Sequence, residues 1–215
     1  MIPHRSSATV TRFAPFGRPA AFALLALLAA APVLQGCVGV AVGAGAAVGV
    51  AAAEERGAKN AANDKGIQLS INERLLQKDL SLFGKVSVTV YEGRVLLTGV
   101  VQKQEDKDEA EKIAWANDRT VEVLNELQVA PSGNLIDSAS DSWITGQLRV
   151  KLTGDGNIID INYSITTVNG IIYLIGLAQS EEELQRVTDH ARTIKGVRRV
   201  VSHVWLKTDS RRRPV

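Results

Sequence analysis

Apolar residues recur at helical spacing at Ile71 and Leu75, and again at Ile144, Leu148 and Leu152, predicting amphipathic helices near 67–80 and 139–152. After the first, Val86, Val88 and Val90 alternate with other residues, and Val95 and Leu97 resume the alternation beyond Glu92-Gly93. After the second, Tyr163, Ile165, Ile172 and Leu174 do the same around Asn169-Gly170. Period-two runs across a Gly-containing two-residue turn predict β-hairpins, and Asn-Gly is the stronger turn signal. Ser180-Glu-Glu-Glu183 reads as a capping box opening a helix that ends before Gly196, with Gln104 to Asn117 as its polar counterpart. A last strand follows in each half, over 121–129 and 197–206. The order is α-β-β-α-β twice, which predicts an α+β fold of two tandem domains. Each places two helices on one face of a small three-stranded mixed sheet.

The two halves align as a repeat. An offset of 77 carries Gly93 to Gly170, Leu97 to Leu174, Gly99 to Gly176, Gln102 to Gln179, Glu105 to Glu182, Ala114 to Ala191 and Val123 to Val200. Upstream, Ile71 and Leu75 match Ile144 and Leu148 at an offset of 73, which predicts four extra residues in the second copy between its first helix and first strand. A domain of about 65 residues has a marginal core alone, so the two are expected to pack on each other, with Pro131-Ser-Gly133 turning the chain between them.

Ahead of the repeats, Arg5, Arg12 and Arg18 precede an apolar run from Ala20 to Leu34, the n- and h-regions of a signal peptide. The run ends in Leu34-Gln35-Gly36-Cys37, which resembles the bacterial lipobox. That resemblance implies cleavage after Gly36 and acylation of Cys37. With Val38 rather than Asp next, it implies delivery to the outer membrane of a Gram-negative cell, facing the periplasm. Val38 to Ala53 carries no charge and contains Gly39-x-x-x-Gly43 and Gly45-x-x-x-Gly49, the spacing of close-packed membrane helices. It is shorter than the ~20 residues that span a bilayer. A glycine-zipper helix and a flexible tether running on through Glu54 to Lys65 are both consistent with it. The organisation expected is a signal peptide over 1–36, an acylated cysteine and tether over 37–66, domains over 67–130 and 138–207, and a basic tail over 208–215.

Composition narrows the function. Lys and Arg (25) nearly balance Asp and Glu (23), too even for a protein that wraps nucleic acid. One cysteine and three scattered histidines make neither an intrachain disulfide nor an ordinary zinc site. His190 and His203 have no adjacent nucleophile and base pattern, and no phosphate-binding glycine loop follows a strand. No enzyme activity, cofactor, metal or small-molecule substrate is expected.

Function is therefore sought where the repeats diverge. In the first helix of the second copy, Trp143, Gln147 and Val150 cluster on a face beside the Ile144-Leu148-Leu152 stripe. At the 73 offset, Trp143 and Val150 replace Ser70 and Gln77. With Arg149 and Lys151 flanking them, they have the composition of an interfacial membrane helix. The same Trp143 is also a fitting plug for a seam between the domains. A second basic cluster, Arg186, Arg192, Lys195, Arg198 and Arg199, together with Arg211-Arg212-Arg213, reads either as solvated charge or as phosphate-contacting charge.

The α-β-β-α-β order, the Gly-x-Val/Ile-x-Leu-x-Gly strand (Gly93 to Gly99, Gly170 to Gly176) and the Val123-x-Asn125-x-Leu127 pattern resemble the BON domain; Ser202 stands where the second copy would have the Asn. Asp141-Ser142-Trp143-Ile144-Thr145 is similar to the Asp-x-Trp-Ile-Thr segment of lipid-binding dual-BON outer-membrane lipoproteins. The resemblance implies that the second domain binds anionic phospholipids through its first helix, at Trp143, Arg149, Val150 and Lys151, and helps maintain outer-membrane integrity. The alternative is a periplasmic scaffold for envelope assembly proteins, in which Trp143 serves interdomain packing.

Overall fold

The computed structural model describes residues 54–130 and 138–212, so Cys37, the signal peptide, the Val38–Ala53 run, the Pro131-Ser-Gly133 turn and Arg213 lie outside it. Helix α1 (Gly57–Lys78) and a short α2 (Leu80–Lys85) precede β1 (Val86–Tyr91), β2 (Arg94–Val101), α3 (Gln104–Trp115), β3 (Glu122–Asn125) and β4 (Gln128–Val129). The second copy runs α4 (Ser138–Gly154), a 3₁₀ turn at Asp160–Asn162, β5 (Tyr163–Val168), β6 (Ile171–Ala178), α5 (Glu181–Arg192) and β7 (Arg199–Leu206). In both sheets the middle strand pairs antiparallel with the strand before it and parallel with the strand after it. A helix makes the parallel crossover, as parallel pairing requires.

The hairpin turns are as the sequence predicts. Glu92 and Gly93 have φ of 51° and 74°, Asn169 and Gly170 of 51° and 71°, two consecutive left-handed residues each. A Cβ on Gly170 would stand 2.6 Å from the Gly196 carbonyl oxygen. Gly170→Val is therefore expected to destabilise by more than ~1 kcal/mol, read as a lower midpoint in thermal melts.

Two differences from the sequence reading concern the helices. First, α1 begins at Gly57, ten residues before the expected start, so 54–66 is folded and not tether. Its buried contacts are polar: Asp64 accepts from the backbone N–H groups of Glu92 and Gly93, both at 2.8 Å, and Arg56 pairs with Asp64 and Glu54 while lying over the Tyr91 ring. Second, Asp141 repeats the role of Asp64, accepting from Asn169 and Gly170 N–H at 2.7 and 2.8 Å. Asp64 and Asp141 are 77 apart, and the buried stripe Ile67-Ile71-Leu75 answers Ile144-Leu148-Leu152 at the same spacing. The repeat is thus gapless, and the offset of 73 slid the first helix by one turn.

The last strand of the first copy is broken where a continuous one was expected. Asn125 donates to the Lys107 carbonyl and Glu111, and its side-chain oxygen accepts from Leu127 N–H, which turns the backbone out of the ladder between β3 and β4. Ser202 accepts from Val204 N–H at 3.4 Å but is too short to tie the strand to the helix, and β7 runs unbroken for eight residues.

The helices of each copy cover one sheet face; the opposite faces pack against each other. Leu97 and Leu174 point to their own helices, while their neighbours Leu96, Tyr173 and Ile175 join Tyr91, Val168 and Leu177 in a third apolar cluster between the sheets. All eight residues of β2 are buried as a result. Polar contacts close the seam: Gln128 donates to the Val168 carbonyl, His203 meets Glu126 at 2.9 Å, and Arg94 donates to the His203 carbonyl at 2.7 Å. Glu55 binds Asn162, Gln179 and Lys207 of the second copy.

The start of the tail also belongs to the seam. Arg212 forms a buried pair with Glu92 at 2.8 Å, and Arg211 pairs with Asp209 over the Trp205 ring. The Arg211 contact holds the half-buried Asp209 carboxyl down at about 2. These two arginines are engaged within the fold rather than presented as free charge.

Candidate functional site

α4 is held in place by Asp141 and by three apolar anchors, with Thr145 meeting Thr167 of β5 at 2.7 Å. Asp141 clasps the Asn169-Gly170 turn, while Ile144, Leu148 and Leu152 are buried against the second sheet. At 100° per residue this leaves Trp143 and Val150 on the outward side, and they are 53% and 70% exposed. Trp143 therefore does not fill the seam. That place is taken by Trp205, whose ring lies 3.8 Å from the Arg94 guanidinium carbon.

The corrected register sharpens the divergence. At 77, the counterparts of Trp143 and Val150 are Gly66 and Glu73, not Ser70 and Gln77. In the first copy the Arg119 guanidinium lies 3.2 Å from where a Gly66 Cβ would be, so the arginine covers that spot on the helix. In the second copy the exchange is reciprocal: an indole stands in place of Gly66, and Gly196 stands in place of Arg119. Gly196, at φ 94°, rests against the Ile144 side chain, and a Cβ there would come to 3.4 Å. No long side chain is available at 196 to lie over the ring.

The two cations expected beside this face are placed differently on the helix. Arg149 projects from the flank facing β5, about 120° around the helix from Trp143, and donates to the carbonyls of Asp160 and Tyr163 at 3.3 and 3.2 Å. It stitches α4 to β5. Lys151 is exposed on the flank facing α5. Asp141 is likewise no surface ligand, because both carboxylate oxygens are engaged with backbone N–H groups.

The remaining titratable groups sit in small local contacts. His190 lies 2.9 Å from Asp155, whose half-buried carboxyl is held at about 2 chiefly by that hydrogen bond, with help from Asn157. Burial, reinforced by Glu183, pushes the Tyr163 hydroxyl above its usual range, and burial does the same for Tyr91. Among the described residues no group of three His, Cys, Asp or Glu side chains is placed to hold a metal ion, and no helix is long and apolar enough to cross a membrane.

The BON domain family model matches residues 63–131 and 140–207. The chain belongs to the BON family. Its two matches begin and end close to the two repeats described above, and the first takes in the last four residues before 67. Among relatives, it is 32% identical over 180 residues to the outer membrane lipoprotein DolP of Haemophilus influenzae, covering 83% of this chain and 92% of that one. It is 40% identical over 152 residues to an uncharacterised protein of Anaplasma centrale, covering 70% of this chain and 99% of the relative. It is 26% identical over 150 residues to the osmotically-inducible protein Y of Escherichia coli, covering 69% and 75%. This BON chain resembles DolP along both domains, and the mixed α+β architecture is that of tandem BON units.

Proposed function

We propose that this BON protein is a lipid-anchored component of the Gram-negative envelope that binds anionic phospholipid through the outward face of α4 and supports outer-membrane integrity. The observation that carries the reading is Trp143 and Val150: two apolar side chains held in solvent by a rigid helix, in the one repeat where Gly66 and Glu73 are exchanged for them. An indole at a headgroup boundary keeps its ring in apolar surroundings and its N–H hydrated. The likeness to an outer membrane lipoprotein supports the location, and Cys37 behind its apolar run supplies the anchor. Several acyl chains on Cys37, each worth ~0.8 kcal/mol per buried CH₂, hold the chain at the membrane. The α4 face then needs only weak affinity of its own.

The test uses residues 46–215, which form a compact unit containing all three apolar clusters. Large apolar side chains give roughly 1.5–3 kcal/mol each when fully buried, so Trp143→Ala should weaken co-sedimentation with phosphatidylglycerol vesicles about tenfold or more. Circular dichroism should be unchanged, because the ring is packed against no core. Equal binding by wild type and variant would overturn the lipid reading in favour of a protein scaffold.

A further inference from the structure

The loop after α5 differs between the copies as sharply as α4 does. Residues 195–199 read Lys-Gly-Val-Arg-Arg, and their counterparts 118–122 read Asp-Arg-Thr-Val-Glu. Three cations and no carboxylate stand where the first copy has one cation and two carboxylates. The structure brings this loop to the N-terminal half of α4. Gly196 touches Ile144, the neighbour of Trp143, and the stem of Arg198 packs over Gly170, whose N–H is held by Asp141 in the first turn of α4. Lys195 and Arg198 are both exposed.

Strand parity sorts the cluster further. Val200 belongs to the core under the helices and Val201 to the seam, so Arg199, two residues before Val201, points to the seam side. Arg192 is paired with Asp189 at 3.2 Å, and Arg186 lies near Asp155 at the far end of α4. Lys195 and Arg198 remain exposed on the loop that touches α4, Arg198 also donating to the Asn169 carbonyl at 3.4 Å on that exposed surface, and Lys151 is exposed on α4 itself.

We propose that Lys195 and Arg198 form the phosphate-binding rim of the lipid face, taking the phosphodiesters of anionic phospholipids at a bilayer surface while Trp143 enters the acyl boundary. The proposal rests on the membrane reading of α4. It moves the electrostatic part of that site from Arg149 to a loop in the other half of the domain. Gly196, between these two cations, touches the residue next to the indole, so Trp143 at the headgroup boundary brings the loop to the anionic surface, where each cation is worth about 1 kcal/mol. Their counterparts in the first copy are Asp118 and Val121, neither of them a cation, so that copy has no matching rim.

Residues 46–215 and their variants are titrated with vesicles of phosphatidylcholine alone and with added phosphatidylglycerol. Each lost cation should weaken binding to the anionic vesicles about fivefold, so Lys195→Gln/Arg198→Gln should lose roughly twenty-five-fold. The same variant should bind phosphatidylcholine vesicles as the wild type does. Lys103→Gln, an exposed cation of the first copy, should change little, and inorganic phosphate at millimolar levels should not compete. If the double variant keeps wild-type affinity while Trp143→Ala loses it, the rim is refuted and the α4 reading stands. If Trp143→Ala also keeps wild-type affinity, the α4 reading itself falls. A loss in Lys103→Gln equal to that of the double variant would reduce the rim to bulk charge and refute it.

Discussion

Gly176→Ala should abolish stable folding of the second domain. A Cβ at 176 would sit 2.0 Å from the Asn162 carbonyl oxygen and 3.1 Å from the Tyr163 Cα, all backbone atoms of the segment entering β5. The clash cannot be relieved by rotating a side chain; β5 would have to leave β6, where Tyr163 pairs with Gly176. A loss of at least ~3 kcal/mol is expected in urea titrations. Gly99, whose Cβ would lie 2.0 Å from the Lys85 carbonyl, should respond alike in the first domain. Gly146→Ala is the contrast, since nothing lies within 4 Å of its Cβ position inside α4. There the helix should gain about 0.5–1 kcal/mol. A Gly176→Ala protein within 1 kcal/mol of wild type would contradict the pairing of β5 with β6 described here.

Arg94→Ala should uncouple the two domains. Its guanidinium is 2% exposed, donates to Glu122 at 2.6 Å and to the His203 carbonyl at 2.7 Å, and underlies the Trp205 ring. Burial lowers its pKa and the Glu122 contact opposes that. Truncation strips the His203 carbonyl of its donor and leaves a hole beneath the indole. Removing one partner of a buried ion pair costs about 3–5 kcal/mol, and half-exposed Glu122, able to rehydrate, places this case near the lower figure. Arg94→Lys should not restore it, because an ammonium offers neither the planar fork nor the stacking surface. Trp205 emission should shift red in the variant. A melting midpoint within a degree or two of wild type would argue against a seam held at this point.

The sequence was legible where structure is periodic and local. Hairpins, capping residues and the repeat itself follow from alternation, Asn-Gly and matched glycines. The capping-box reading held in part: Ser180 accepts from Glu183 N–H at 3.2 Å, but the Glu183 carboxylate reaches past Ser180 to the N–H groups of Gln179 and Ile159. The helix register was misread because core positions four apart look the same after sliding one turn. Only the buried carboxylates Asp64 and Asp141, each tied to a hairpin turn, distinguish the two registers. The folded start of α1 was missed for a related reason, since Arg56, Asn60 and Asp64 are polar and hydrophobic patterning cannot see that they are buried.

At the candidate site, exposure of Trp143 was one of two readings, and the structure decides it through a tertiary fact: the domains meet by their sheets, far from the outward side of α4. Arg149 is close to Trp143 in sequence but not on the same side of the helix. A helix puts them about 120° apart once the six-residue difference is wound around the axis. Lys195 and Arg198 were read as part of a diffuse basic cluster, and nothing short of the fold sets them beside α4. The signal that pointed to them was available in the charge exchange with 118–122, which becomes meaningful once the copies are known to align without a gap.

The most direct measurement of membrane insertion by α4 is depth-resolved quenching of Trp143. The full chain is reconstituted in phosphatidylglycerol-containing vesicles with bromines at successive depths along the acyl chains, and the emission of the Trp143→Phe protein is subtracted to isolate the one indole. The account predicts quenching strongest for bromines near the headgroup boundary, weaker for those near the bilayer centre, and reduced as the phosphatidylglycerol is replaced by phosphatidylcholine. A Trp143 signal indifferent to brominated lipid, in a protein that remains anchored to the vesicles, would contradict it.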